Sequence, residues 1–328
     1  DLWYASPAEK LEKADGKITG VHVNNEEHGK VLVKTKSVVL ASGGFEADKK
    51  KRMEHLGKEW ENAIVRGSEY NTGDGITMAL EVGAVKAGQY DGCHAHTTDY
   101  NSPKTGDYSK PGDIYKKSSY PLGLIVNVEG ERFVDEGADF RNYTYAKYGK
   151  ETLKQTQQKA FQIYDEQVRD MLRVEYNLEE ATMLTADTIE ELAVKMGVDK
   201  ENFLETINSY NDAVQDGDYN PSVKDGKTTV GLSPNKTNWA LKFNEGPFYA
   251  YPITCGITFT FGAIKVNNKS EVLDENDEPI EGLYAAGEMV GDLFYHNYPG
   301  GSGLMSGSVF GKTAGDSVKN YLSTAAQN

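Results

Sequence analysis

Alternating apolar and polar positions near the start of the chain predict β-strands. Residues Ile18–Val23 and Val31–Lys34 alternate in this way, so one face of each strand is expected to pack against a core. Ser37–Leu40 is a shorter apolar run, and the small residues Ala-Ser-Gly-Gly follow it at positions 41–44. Because a turn of small residues leaves the backbone open, a ligand can approach closely at this strand end.

The strand and helix patterns resume on either side of a long central stretch. A Thr-Gly-Asp-Gly sequence precedes a helical pattern at Ile76–Glu81. Toward the end of the chain, strands are predicted at Ala263–Asn267, Ser270–Leu273 and Gly282–Ala286, and a helix is predicted at about 303–321.

The central stretch predicts a separate α+β unit. Leu122–Val128 and Arg132–Val134 have strand character, with a turn between them, and Glu151–Arg173 has helical character. Thr188–Met196 opens with a capping box and is followed by a second helix at Asp199–Ala213.

These patterns together predict an α/β domain that is interrupted by an inserted α+β domain. The first domain is expected to comprise residues 1–90 and 259–328, and the insert residues 91–258. A chain of 328 residues is long enough for two such domains.

Charge and composition narrow the classes of partner. The formal net charge of −15 disfavours nucleic acid and anionic membrane surfaces, so an anionic substrate would need a local group of cations. The sequence contains no run of about 18 apolar residues, so no membrane-spanning helix is predicted. Two cysteines provide neither a disulfide framework nor a metal motif, which favours a reducing compartment and hence a cytoplasmic location.

The most informative motif is a strand, a loop of small residues and a helix start over residues 282–307. Its loop reads Tyr-Pro-Gly-Gly-Ser-Gly from Tyr298. Glycines allow a planar ring or a phosphate to lie against bare backbone, and a helix start offers free N–H groups with partial positive charge. A tight packing turn is the alternative explanation of the same glycines.

Four blocks, in order, resemble the FAD-binding family of soluble fumarate reductases, succinate dehydrogenase flavoproteins, ketosteroid dehydrogenases and tricarballylate dehydrogenase. They lie at residues 38–45, 72–75, 130–136 and 282–315. The resemblance implies a partial FAD-binding Rossmann-like domain with an inserted clamp, or capping, domain that binds substrate. The G-x-G-x-x-G helix with which such proteins begin does not open this sequence, so that unit is expected to be missing from the chain.

FAD is the cofactor that the resemblance implies. The implied cofactor-binding residues are Ala41, Ser42, Gly43, Thr72, Gly73, Asp74, Gly287, Glu288, Ser302, Gly303 and Leu304.

The resemblance also implies a hydride transfer between flavin N5 and a carbon–carbon bond of a small carboxylated substrate. Arg141 resembles the proton-donating arginine of fumarate reductases, with one additional residue in the spacing, and His96 resembles a carboxylate-binding histidine. Tyr298 is a further catalytic candidate, as a base or as a hydrogen-bond donor; packing against the flavin is its alternative role. The expected substrate-binding residues are His296, Thr97, Glu136, Thr258 and Thr260. The electron donor or acceptor is left open.

Several positions depart from the fumarate reductase pattern. Fumarate reductases have a pair of histidines where this chain has Thr258 and Phe259. They have a substrate-binding arginine where this chain has Tyr298. These changes argue against fumarate itself, and the sequence around His296 resembles the tricarballylate dehydrogenase branch more closely. A ketosteroid-type dehydrogenase and a fragment that binds no cofactor are the alternatives. His94 and His96 could bind a metal, but the sequence places no third ligand, so no metal is predicted.

Overall fold

The computed structural model describes residues 1–110 and 112–325, and within it the chain forms two compact units. The first unit comprises Asp1–Glu61, Ser68–His94 and the described residues from Phe259 onward. The second unit comprises Asn62–Gly67 and Ala95–Thr258. The assignment of a cofactor domain and a substrate clamp to residues 1–90 with 259–328 and to 91–258 stays a prediction.

Both units are built from strands and short helices. The strands are β1 (Ala8–Ala14), β2 (Lys17–Asn25), β3 (Gly29–Lys34), β4 (Val38–Leu40), β5 (Ile64–Val65), β6 (Lys86–Ala87), β7 (Cys93–Asp99), β8 (Leu124–Asn127), β9 (Ala160–Tyr164), β10 (Leu184–Ala186), β11 (Phe248–Thr260), β12 (Ala263–Ile264), β13 (Glu271–Leu273) and β14 (Pro279–Ala285). The α-helices are α1 (Lys49–His55), α2 (Asp74–Glu81), α3 (Arg141–Thr144), α4 (Tyr148–Leu153), α5 (Ile189–Met196), α6 (Lys200–Ala213) and α7 (Ser302–Ala325). Short 3₁₀ helices lie at Lys58–Asn62, Tyr120–Leu122, Thr156–Gln158, Glu166–Met171, Val174–Tyr176 and Gly287–Met289.

The main sheet of the first unit has the strand order β1-β2-β14-β13, with β3 paired to β2 and β4 paired to β14. β14 runs parallel to β4, with Ala285 opposite Leu40. Leu283 and Ala285 are fully buried and pack with Ile18 and Met289 in one apolar core. Because β4 and β14 are parallel, their carboxyl ends lie at the same edge of the sheet.

The second unit is built around β11. The strand order is β10-β11-β9-β8, and β5 and β7 also pair with β11. One core cluster contains Leu124, Phe161, Leu192 and Phe203, which come from β8, β9, α5 and α6. This unit therefore has its own buried apolar centre.

The predicted helix starts in the second unit are confirmed. The Thr188 hydroxyl accepts a hydrogen bond from the Glu191 N–H at 3.2 Å and caps α5. Gly197 directly follows the last residue of α5, and its φ of 67° is a left-handed conformation that favours glycine. Asp199 caps α6 through the Asn202 N–H at 3.0 Å.

The helix predicted over Glu151–Arg173 is wrong. α4 ends at Leu153, and Ala160–Tyr164 forms the buried strand β9 between β8 and β11. A short run of buried residues fits helix and strand periodicity equally well, and pairing on both sides decided for the strand. The strand predicted at Arg132–Val134 is also wrong, because only an isolated bridge joins Arg132 to Val126.

Lys236 is a fully buried lysine in the second unit whose pKa makes the stability of this unit pH-dependent. Its Nζ donates to the Gly123 carbonyl oxygen at 2.6 Å, and burial lowers its pKa to about 8. The folded state therefore binds its proton more weakly than the unfolded state does. In comparison with a Lys236→Met variant, the wild-type free energy of unfolding should rise as the pH increases from about 8 to about 10. Urea unfolding of both proteins across that pH range measures this difference. If the free energy of unfolding changes with pH in the same way in both proteins, the prediction is wrong.

No helix within residues 1–110 and 112–325 has both the length and the apolar character needed to cross a membrane.

Candidate functional site

Three of the predicted cofactor segments meet at the carboxyl edge of the parallel strands in the first unit. The loop after β4 and the loop after β14 emerge side by side because Ala285 pairs with Leu40. α2 begins at Asp74, directly after Gly73 with a φ of 77°. At Gly75 a Cβ atom would collide with the Ser42 hydroxyl, so the start of α2 packs against the loop after β4.

The fourth predicted segment, at the start of α7, lies against the short helix Gly287–Met289. Gly287 and Gly301 have φ values of 68° and 89°. Apart from the adjacent residues, no atom of the described chain lies within 4 Å of the Cβ position of either glycine. Substitution there would strain the backbone and place a side chain on an open surface. Ser302 begins α7 and is partly exposed, whereas the side chain of Leu304 is largely exposed. Open glycine backbone beside a helix start fits a phosphate or a planar ring.

The other predicted cofactor residues are engaged in local contacts. Ser42 donates to the sulfur of Met289 at 3.6 Å. The Thr72 hydroxyl donates to the Asp74 carboxylate at 2.7 Å, and the Thr72 carbonyl accepts from Lys51 at 2.7 Å. Ala41 is exposed. The four segments therefore form one surface of the first unit, and their residues fit an FAD molecule; their individual roles stay predictions.

Two carboxyl groups interact beneath this surface. Glu288 accepts from the Thr260 N–H at 2.8 Å, and Glu46, which is 1% exposed, accepts from the Asn71 side chain at 2.6 Å. Burial raises the pKa of Glu46, and burial together with the neighbouring charge of Glu46 holds the pKa of Glu288 well above its usual range. Since two adjacent buried carboxylates repel each other, the pair retains a proton.

This pair predicts a loss of stability toward alkaline pH. The folded-state pKa values are raised, so the contribution to stability is present below the unfolded-state pKa and is lost as the pH rises through the folded-state values. A Glu46→Gln variant keeps an acceptor for Asn71 and removes the repulsion. It should be more stable than the wild type above the unfolded-state pKa of glutamate, about 4.3, and this gain should grow as the pH rises. Thermal unfolding at several pH values measures the gain.

The matched control for this prediction is Glu61→Gln. Glu61 is an exposed carboxylate whose pKa is lowered by Lys49, so its effect should be confined to acidic pH. If the Glu46→Gln variant has the same thermal stability as the wild type at every pH, Glu46 and Glu288 do not share a proton.

Tyr298 connects an aromatic cluster to the start of α7. Its ring is buried, and the ring centroids of His94, Phe259 and Phe294 lie 4.8, 5.0 and 5.0 Å away. The Tyr298 hydroxyl accepts a hydrogen bond from the Gly303 N–H at 2.9 Å. This contact satisfies one of the N–H groups that a helix start leaves without a partner. Sequence patterns suggested neither the ring cluster nor the contact with α7.

His296 and Thr260 lie in different surroundings within the first unit. His296 is exposed, has a φ of 58°, and contacts Gln89 through its backbone N–H at 2.6 Å and through Nδ1 at 3.0 Å. Thr260 is buried, and its hydroxyl accepts from the Phe45 N–H at 3.4 Å. The exposed imidazole is accessible to a substrate, whereas Thr260 binds the protein itself.

Arg141 and His96 both lie next to the ring of Tyr145 in the second unit. The Arg141 guanidinium lies 5.6 Å from the centroid of the Tyr145 ring, and the His96 ring is 5.4 Å from the same centroid. His96 is buried, and its Nδ1 lies 2.5 Å from the Thr97 carbonyl oxygen. Arg141 begins α3 and is partly exposed. The structure thus brings together two of the three predicted catalytic residues around one aromatic ring.

Thr97 and Glu136 have strong internal partners. The Thr97 hydroxyl donates to the Lys117 carbonyl oxygen at 2.5 Å and accepts from Gln162 at 3.2 Å. Glu136 is fully buried, pairs with Arg132 at 2.5 Å, and accepts from the Ile125 N–H. Both side chains therefore stabilise the second unit, and their predicted roles in substrate binding have no support from these contacts.

Arg66 is a functional candidate that the sequence patterns did not indicate. It donates to the hydroxyl of Thr258, one of the predicted substrate residues, at 2.6 Å. Arg66 follows the two-residue strand β5, which is too short to give a periodic signal.

A metal centre finds no support among residues 1–110 and 112–325, because no three His, Cys, Asp or Glu side chains are grouped as metal ligands there.

The comparison with known proteins agrees with this arrangement. The FAD binding domain family matches residues 1–304. The chain is 29% identical to a probable fumarate reductase, Ifc3, of Shewanella frigidimarina, over 94% of this chain and 48% of that protein. It is 29% identical to a 3-oxosteroid 1-dehydrogenase of Mycolicibacterium smegmatis, over 89% of this chain and 54% of that protein. The open conformation of a flavocytochrome c3 fumarate reductase superposes with a TM-score of 0.74 at 29% identity, covering 96% of this chain and 52% of the other.

The chain belongs to the FAD-binding domain family that includes fumarate reductase flavoproteins and ketosteroid dehydrogenases. This confirms the predicted α/β fold class, the relationship to flavin-dependent oxidoreductases, and FAD as the cofactor of the family. The chain spans about half of the length of these two relatives. Closer kinship with the tricarballylate dehydrogenase branch stays a hypothesis.

Proposed function

We propose that this chain forms part of an FAD-dependent oxidoreductase that acts on a carbon–carbon bond of a small carboxylated substrate of the tricarballylate or fumarate type. The observation that carries the proposal is the joining of four glycine-containing segments at one strand edge and one helix start. Bound FAD would accept or donate the hydride at N5. Residues 41–43, 72–74, 287–288 and 302–304 would hold it.

The residues of the chain itself would bind the substrate and move a proton. The guanidinium of Arg141 would stabilise a developing carbanion, and it would deliver a proton only with an anionic group close to it. Tyr298 presents its hydroxyl at the α7 start, where the helix dipole favours negative charge on the oxygen. His96 and His296 would hold carboxylate groups.

A steroid or other apolar substrate is the second candidate, and the aromatic cluster favours it. Phe259, Phe261, Phe294 and Tyr298 contact one another with centroid distances of 5.0 to 5.7 Å. Phe259 and Phe294 are only partly buried, so their rings offer apolar surface to a ligand. One relative is named a 3-oxosteroid 1-dehydrogenase.

Flavin absorbance tests the proposal and separates it from its alternatives. The purified chain, loaded with FAD, is mixed anaerobically with tricarballylate, and in its reduced form with fumarate. Bleaching by tricarballylate or reoxidation by fumarate supports the proposal. Bleaching by a saturated 3-oxosteroid alone would replace it with the steroid function. A chain that retains no FAD would indicate that it binds no cofactor by itself.

A further inference from the structure

The side chain of Arg66 is held beside Thr258 by the pairing of β5 with β11. Ile64 and Val65 run parallel to Gly256 and Ile257, and the Arg66 N–H donates to the Ile257 carbonyl oxygen at 2.9 Å. A Cβ atom at residue 256 would lie 2.7 Å from Cδ of Arg66. The glycine therefore leaves the space through which the arginine crosses β11 and reaches Thr258.

The guanidinium of Arg66 is only partly committed to these contacts. Nε donates to the Asp113 carboxylate at 2.7 Å, Nη2 donates to the same oxygen, and Nη1 donates to the Thr258 hydroxyl at 2.6 Å. A guanidinium has five N–H bonds. Two of them, one on Nη1 and one on Nη2, have no partner among the described residues. Such N–H groups form charge-assisted hydrogen bonds with a carboxylate.

Thr258 adds a third donor at the same place. Its oxygen accepts from Arg66, and its own hydrogen has no acceptor within residues 1–110 and 112–325. An acceptor-only group such as a carboxylate complements a hydroxyl whose oxygen is already occupied. The Arg66 side chain is 12% exposed, so its charge is shielded from water and its hydrogen bonds are stronger than on an open surface.

The charges around Arg66 also limit the position of a ligand. Arg66 lines a small cavity together with Thr98, Ser102, Lys110 and Asp113. Asp113 holds the Nε edge and repels a second anion from that side. A ligand carboxylate therefore meets the guanidinium at the edge formed by Nη1 and Nη2, next to Thr258.

We propose that Arg66 and Thr258 form a carboxylate-binding pair for the substrate, with Asp113 as the residue that positions the arginine. The inference rests on the proposed function for the identity of the carboxylate as substrate. Thr258 itself has no charge, so Arg66, which follows the neighbouring strand β5, would supply the positive charge of the pair.

Titration calorimetry with tricarballylate tests the pair on the chain without FAD, where no hydride transfer can follow binding. Arg66→Gln should raise the Kd by about 10- to 100-fold, because charge-assisted hydrogen bonds to the carboxylate are lost. Thr258→Val should raise the Kd by about 5-fold. Thr258→Ser keeps the hydroxyl and should have the Kd of the wild type. The salt dependence of the Kd should be weaker for Arg66→Gln than for the wild type.

The matched control is Lys154→Gln, which removes an exposed cation of the same unit that pairs with Glu151. It should leave the Kd unchanged. If Arg66→Gln does not fold, Arg66→Lys keeps the charge without the paired donors, and its Kd should still rise. Unchanged Kd values for both Arg66 variants, or no binding of tricarballylate to the wild type with or without FAD, would overturn the inference.

A second measurement separates this inference from the proposed function. If tricarballylate bleaches the flavin with the same KM in Arg66→Gln as in the wild type, the oxidoreductase stands and the role of Arg66 falls. If tricarballylate binds through Arg66 without bleaching the flavin in the loaded chain, the proposed reaction falls and the binding pair stands.

Discussion

Replacing Arg141 with alanine is expected to lower the turnover number by about 10²- to 10⁴-fold while FAD remains bound. Arg141 begins α3, is partly exposed, and lies 5.6 Å from the centroid of the Tyr145 ring, which the His96 ring also contacts. Arg141 itself is not among the buried core residues of the second unit that the structure describes. Loss of the guanidinium should therefore affect the proton step and leave folding intact.

Stopped-flow reduction and the visible spectrum of the bound flavin check both parts of this prediction. Arg173→Ala is the matched control. Arg173 and Arg141 line one surface pocket, and Arg173 pairs with Glu175 at 3.5 Å. This control should turn over like the wild type. Equal turnover of Arg141→Ala and Arg173→Ala would remove Arg141 from the proposed mechanism.

Replacing Tyr298 with phenylalanine is expected to lower turnover by about 10²-fold or more with a small loss of stability. The ring contacts with His94, Phe259 and Phe294 are retained in this variant, and only the hydroxyl is removed. The Gly303 N–H then loses its acceptor, which should cost about 0.5–1.5 kcal/mol. A residue that merely packs would show the small stability loss without the loss of turnover.

The pH profile of turnover and the unfolding free energy distinguish these roles. Tyr295→Phe is the control, since Tyr295 is 73% exposed and its hydroxyl should not matter for the reaction. If Tyr298 acts as a base or donor, the variant should lose the corresponding limb of the pH profile. A Tyr298→Phe variant that keeps the wild-type profile and rate would restrict Tyr298 to packing and helix capping.

The sequence predicted well those elements whose signals are local. α5 and α6 start at the capping residues that their patterns indicated. α7 covers its predicted range with one additional residue at its start and four at its end. Strands β2, β3 and β4 form at the positions that the sequence pattern predicts. These elements depend on interactions between residues that are close in sequence, so a pattern of one chain is sufficient.

Elements whose stability comes from distant partners were missed. β11 is buried almost throughout its thirteen residues and pairs with strands from four other parts of the chain. A strand that is covered on both sides does not alternate, so it gives no periodic signal. β9 is buried at every residue, so its pattern does not distinguish a strand from the helix predicted there.

The sequence by itself determined the class of cofactor site, because glycines and a helix start carry that information in consecutive residues. Only the tertiary structure decided which polar side chains are available. Thr97 and Glu136 bind internal partners, Tyr298 meets the N-terminus of α7, and Arg66 reaches Thr258 through a gap left by a glycine. The physical reason is that availability depends on which hydrogen bonds the folded chain has already made, and these join residues that are far apart in sequence.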